Sequence, residues 1–203
     1  MRKQQAYLYT NALNTRPMSS IDKPEKVHMG QIVPGVWVGS LAALSHLDKK
    51  RKWSVVTLLS SNPMVKLTSN LLSKSTASIQ EHIVWILRDS PLEELLSEVH
   101  LRRIFAMLDK ANTQEACLIH CAKGSSRSVS VCVAWLLYSQ KFTTVEAALT
   151  RIRHVRPNAS PNLGFLASLR ALEQCNGNVT KARERMNRSS SLNCNEKSEE
   201  DTK

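Results

Sequence analysis

Long apolar runs are scarce in this sequence. No stretch approaches the roughly 20 residues that a membrane-spanning helix needs, and residues 1–30 lack the apolar core of a secretory signal. A cytoplasmic or nuclear location is therefore expected. The stretch before Asp22, basic and free of acidic residues, leaves organellar import open. The cysteines Cys117, Cys121, Cys132, Cys175 and Cys194 are odd in number and form no CxxC or Cys/His ligand pattern. Neither a disulfide framework nor a zinc site is indicated, and no metal or other cofactor is expected. Aromatic residues make up only 5% of the chain, and the basic clusters Lys49-Lys50-Arg51-Lys52 and Arg151-x-Arg153 are not interleaved with them. No nucleic-acid surface is expected on that ground.

What is present fits one domain with tails. A chain of 203 residues can bury a core of its own. The formal charge of +11 points to anionic partners without separating phosphoprotein, phosphoinositide and nucleic acid. Residues 1–29 are polar, carry Pro17 and Pro24 and show no sustained period, as expected of a flexible arm. Residues 30–176 hold the patterned part. Gln31 to Gly39 reads as two extended runs around the Pro34-Gly35 turn, followed by a helix that Ser40 can cap. Ser54 to Leu59 and His82 to Leu87 are apolar strands, and the Ser/Asn-rich segment between them reads as a surface connection with a helical turn at Leu67 to Leu72. Helical spacing over Leu92 to Leu108 predicts an amphipathic helix, Cys117 to His120 a short buried strand, and Val129 to Tyr138 a core helix. Thr143-x-x-Glu146 predicts a capping box for a helix to about Arg156, and Ser160-Pro161 an N-cap and N1 proline for a last helix toward Glu173. Residues 177–203 are charged and Ser/Asn-rich, which predicts a disordered tail. Strands alternating with helices predict an α/β fold.

The chemistry concentrates in His120-Cys121-Ala122-Lys123-Gly124-Ser125-Ser126-Arg127-Ser128. A strand, a polar turn with a glycine, then a helix is the arrangement that aims backbone N–H groups and a helix N-terminus at one point, an anion cradle. The turn lacks the longer glycine-rich run closing on Gly-Lys-Ser/Thr of a nucleotide-hydrolysing loop. It begins instead with a cysteine and closes with an arginine. Cys121 at the mouth of such a cradle meets the surroundings that favour a thiolate, hence a nucleophile. Arg127 can bring its planar fork to two phosphate oxygens and stabilise charge on a phosphoryl group in flight.

This segment resembles the HCxxGxSRS signature of protein tyrosine phosphatases, in the form typical of dual-specificity phosphatases. Ile32-Val33-Pro34-Gly35-Val36-Trp37-Val38-Gly39-Ser40 resembles the first strands of that family, and Arg156-Pro157-Asn158-Ala159-Ser160-Pro161-Asn162-Leu163-Gly164-Phe165 its RP…PNxGF segment. The resemblance implies a central, mostly parallel sheet of about five strands flanked by helices. It also implies an upstream aspartate as general acid, which falls on Asp89, with Glu93 and Glu94 as the fallback on the expected helix. Ala122 to Arg127 then hold the phosphate. Ser128 donates to the departing thiolate, His120 holds the loop and tunes Cys121, and Asn162 buttresses the loops or merely starts a helix.

The resemblance implies phosphorylated proteins, kinases among them, as substrates. No segment resembles the loop that deepens the pocket of the phosphotyrosine-specific enzymes, so a shallow pocket admitting phosphotyrosine, phosphoserine and phosphothreonine is expected. Lys123 inside the loop resembles the loop lysines of phosphoinositide phosphatases and opens a second reading, an anionic lipid or other non-protein phosphate. A third reading is a module that captures phosphoproteins without turning them over.

Overall fold

The computed structural model describes residues 28–188. Five strands, β1 (Met29–Val33), β2 (Val36–Ser40), β3 (Lys52–Leu59), β4 (Ser78–Ile86) and β5 (Glu115–Cys121), form one sheet in the order β1-β2-β5-β3-β4. Only the β1–β2 pair is antiparallel. The helices are α1 (Asn62–Lys74), α2 (Glu98–Lys110), α3 (Arg127–Tyr138), α4 (Val145–Val155) and α5 (Leu163–Gln174), and residues 179–188 are helical as well.

β5 is central because it is apolar on both faces. Leu118 points with Trp53 and Val55 into a smaller core under the turn of 3-10 helix at Leu41–His46 and the inner side of α1. Ile119 and Cys121 point with Val56 and Leu58 into the main core under α2 to α5. A strand covered on both sides has no polar face to alternate with, hence the continuous apolar run. Parallel pairing carries Cys121 to the carboxyl end of the sheet, opposite Ser40 of β2 and Leu58 of β3. Open α/β sheets present ligand sites at that end.

Several element boundaries differ from the sequence expectation. The connection between β3 and β4 contains a full helix: Pro63 sits in the first turn of α1, where its missing N–H costs nothing. That helix buries only Thr68 completely, so its apolar stripe is too thin to stand out in the sequence. The helix expected from Leu92 starts only at Glu98, and Glu93 and Glu94 lie in the loop before it. Leu95 and Leu96 are buried from that loop, whereas Leu92 and Val99 are exposed, so the helical spacing across this stretch is coincidental. Ser40 does not cap a helix; its hydroxyl donates to the His28 carbonyl instead. The N-caps expected at Thr143 and Ser160 move to Thr144 and Asn162, whose side chains accept from Ala147 N–H and Phe165 N–H.

The expected arm lies outside the described residues up to residue 27, and the tail beyond residue 188 likewise. The first part of the expected tail packs onto the domain. Ala182 is fully buried, and Val179 and Met186 lean on the main core. A chain ending at residue 178 is expected to lose about 2 kcal/mol of stability relative to one ending at residue 188, read as a lower urea midpoint at unchanged slope.

Candidate active site

The loop after β5 is shaped from outside. The Leu41 N–H donates to the Ala122 carbonyl (3.2 Å), and the Ser160 N–H to the Ser125 carbonyl (2.7 Å). Between them, the Arg156 guanidinium donates through Nη2 to the carbonyls of Lys123 (3.1 Å) and Gly124 (3.4 Å). A trans peptide points its N–H opposite to its C=O. Four consecutive carbonyls drawn outward therefore turn the N–H groups of Lys123, Gly124, Ser125 and Ser126 toward the interior of the loop. Gly124 takes a φ of +71°, and a β-carbon there would stand 2.6 Å from the Gly39 carbonyl oxygen and 2.7 Å from Arg156 Nη2. Glycine is required for both reasons.

Cys121 lies on the floor of this ring, almost wholly buried. Its Sγ accepts the Gly124 N–H at 3.2 Å and the Ser128 hydroxyl at 3.3 Å, and α3 begins at Arg127 with its N-terminus toward the loop. Each of these interacts more strongly with a sulfur anion than with a thiol. The Ser128 hydroxyl has one proton and a second acceptor, the Gly39 carbonyl at 3.5 Å, so it can serve sulfur or release it. Burial pushes Cys117 and Cys132 up, with Glu81 adding to the shift at Cys117, so both stay protonated and inert.

Arg127 is anchored on one side only. Its Nη1 donates to Ser60 Oγ at 2.8 Å and to the Leu87 carbonyl at 3.4 Å. Its Nε is buried without a hydrogen-bond acceptor, and Asp89 Oδ2 lies 3.9 Å away. A buried guanidinium N–H without an acceptor is costly unless a ligand supplies one, and a phosphate oxygen above the cradle has the right chemistry.

Asp89, in the loop after β4, has its two oxygens divided between tasks. Oδ1 accepts the Ser126 hydroxyl at 2.6 Å and the Asn162 side-chain amide at 2.9 Å. Oδ2 faces Arg127 Nε at 3.9 Å. The Asn162 amide that donates to Asp89 belongs to the side chain whose oxygen caps α5. Ser126 closes the ring by accepting the Asn162 N–H at 3.2 Å. Lys123 is exposed at the rim.

Behind the cradle, Thr57 Oγ1 is hydrogen-bonded to Nε2 of both His120 and His82, each at 2.8 Å. Burial, with a smaller push from His82 and partial compensation by the Cys121 backbone, lowers the His120 pKa to about 4. His120 is thus a neutral strut. Nothing in the sequence marks Ser60 or Thr57 as site residues, and Arg156 stands out only as the first residue of the Arg156 to Phe165 segment.

An unbound arginine N–H beside a thiol under converging dipoles, with a carboxyl poised opposite, is the apparatus of enzymes that pass a phosphoryl group through cysteine. The comparisons narrow that class. The dual specificity phosphatase catalytic domain matches residues 36–175, and the chain belongs to this family. Dual specificity protein phosphatase 1 of Arabidopsis thaliana is 30% identical over 144 residues, which cover 70% of this chain and 68% of that protein. Dual specificity phosphatase 28 of Mus musculus is 38% identical over 87 residues, and the match spans about half of its length, 52%, and 42% of this chain. The crystal structure of human DUSP28 shares the fold, with a TM-score of 0.60 at 24% identity over 76% of this chain and 98% of that one. A human tyrosine phosphatase-like serine/threonine/tyrosine-interacting protein shares it too, at 0.59 and 18% identity over 74% of this chain and 98% of that one.

The buried His120 carries a pH signature. The unfolded chain takes up a proton at the ordinary histidine pKa of 6.5, the folded one only near 4. Between these values the unfolded state binds more protons, so stability falls as pH drops from 6.5 toward 4, by up to about 1.4 kcal/mol per pH unit. Urea unfolding of wild type and His120→Asn across this window is expected to show the steeper fall in wild type.

Proposed function

We propose that this chain hydrolyses phosphate monoesters on tyrosine, serine and threonine side chains of proteins through a phosphocysteine intermediate. The observation that carries the reading is that one loop holds both Cys121 Sγ, bound by the Gly124 N–H and the Ser128 hydroxyl, and, at its end, the buried Arg127 Nε without an acceptor. Membership of the dual specificity phosphatase family supports it.

In the first step the Cys121 thiolate attacks phosphorus. The S–P bond forms, the P–O bond to the substrate breaks, and the proton on Asp89 Oδ2 passes to the leaving oxygen. Arg127 and the loop N–H groups hold the equatorial oxygens while charge redistributes. In the second step water attacks phosphorus and loses its proton to Asp89, and the S–P bond breaks. The Ser128 hydroxyl steadies the sulfur anion that leaves. His120, neutral and buried, keeps the strand end in place and transfers no proton. No step calls for a cofactor.

A second reading, phosphoinositides or another non-protein phosphate, rests on Lys123, whose exposed side chain stands in the loop. It is a single lysine, and side-by-side turnover of phosphopeptides and soluble phosphoinositides by the purified protein separates the two; exclusive lipid turnover would sink the protein-directed reading. Capture without catalysis is the third, and the intact Cys121, Arg127 and Asp89 speak against it. The cytoplasm or nucleus is the location we propose, open to imaging of the full chain in cells.

Cys121→Ser is expected to abolish turnover of any monoester, by at least about 10³-fold. Asp89→Asn should slow release of poor leaving groups such as serine or threonine by roughly 10²–10⁴-fold, and activated aryl phosphates far less. A leaving-group series in both proteins checks this. Equal losses across the series would remove Asp89 from the role of acid.

A further inference from the structure

Among the described residues, the two most exposed large hydrophobic side chains are Leu92 (97%), three residues after Asp89, and Leu163 (79%), next to the Asn162 that donates to Asp89. Singly, an exposed leucine needs no explanation. These two sit on either side of one contact. Leu163 follows Asn162, whose amide holds Asp89, and precedes Gly164, which Pro91 abuts so closely that a β-carbon would stand 1.9 Å from the Pro91 carbonyl oxygen. Leu92 follows Pro91. The acid loop and the start of α5 are thus locked together, and each presents a leucine to solvent beside the lock.

Both leucines stand on ordered backbone. Leu163 is the first residue of α5. The Leu92 N–H donates to Ser90 Oγ at 3.3 Å, and Arg88 and Glu93 clasp the acid loop through an ion pair at 2.8 Å. Leu92 also lines a groove of about 340 Å³ whose walls mix apolar residues, Pro91, Leu96 and Ala167, with the charged Glu93, Glu94 and Arg183. A preformed surface costs a ligand little ordering entropy.

The position of Leu92 dictates what can reach it. It lies three residues from Asp89, which must touch the leaving oxygen, and a chain spans at most about 3.6 Å per residue. A polypeptide that delivers its phosphorylated side chain to Cys121 therefore has neighbouring residues within reach of this rim. We propose that Leu92 and Leu163 form a specificity surface for an apolar side chain of the phosphoprotein substrate, within about three residues of the phosphorylated one. This rests on the protein-directed reading above.

The experiment uses the full chain and two sets of synthetic phosphopeptides that differ only in carrying leucine or serine at positions within three of the phosphorylated residue, with 4-nitrophenyl phosphate run alongside. Wild type is expected to favour the leucine peptides by on the order of tenfold in kcat/KM, expressed mainly in KM. In Leu92→Ser/Leu163→Ser that ratio should fall toward one, and Leu92→Met/Leu163→Met should restore it. The ratio is read within each protein, so a general loss of activity does not disguise the result. Equal turnover of both sets by wild type, or an undiminished ratio in the double serine variant, would overturn the inference alone. Hydrolysis of 4-nitrophenyl phosphate with no phosphopeptide turned over would overturn it together with the protein-directed reading.

Discussion

Backbone carbonyls dislike being turned away from their partners, and the site rests on four that are satisfied from outside. Ala122, Lys123, Gly124 and Ser125 give their oxygens to Leu41, Arg156 and Ser160, which lie on three separate segments. The ring of inward N–H groups is the reverse side of those bonds. Arg156 supplies two of the four contacts, so one guanidinium holds half of the ring from outside.

The groups we propose for catalysis are joined to this ring rather than placed beside it. Ser126 donates to Asp89 and accepts from Asn162, which donates to Asp89 in turn. Arg127 stands on Ser60 and the Leu87 carbonyl, at the ends of β3 and β4. Loop, acid and arginine therefore share partners, and changes at neighbouring positions will not add. Two neutral, buried groups, Thr57 and His120, brace the strand end beneath and keep charge out of the core that flanks the nucleophile.

The central strand, the loop and the helix behind it were legible because their signals are local: an apolar run, a glycine with cysteine and arginine at fixed spacing, and a second apolar run. The position of Asp89 was legible through family resemblance and the Ser90-Pro91 loop. Arg156 was not recognisable as a site residue, because its partners are main-chain oxygens of Lys123 and Gly124 and leave no mark on side-chain pattern. Ser60 and Thr57 were hidden for a similar reason, being small polar residues at a strand end and on a buried face. The misread start of α2 came from counting Leu92 and Val99 into a stripe that the fold does not bury. The misplaced caps, one or two residues off, reflect several Ser, Thr and Asn side chains competing for the same helix end.

Asn162 makes the end of a helix part of a chemical step. One amide oxygen stops the first turn of α5 from fraying, and the nitrogen of the same amide fixes Asp89. Winding of that turn therefore supports one of the two hydrogen bonds that hold Asp89, the residue we propose as proton donor; the other comes from Ser126. Opening of the helix end thus becomes a fluctuation that turnover itself can register, and the fraction of productive encounters is tied to a folding equilibrium a few residues long.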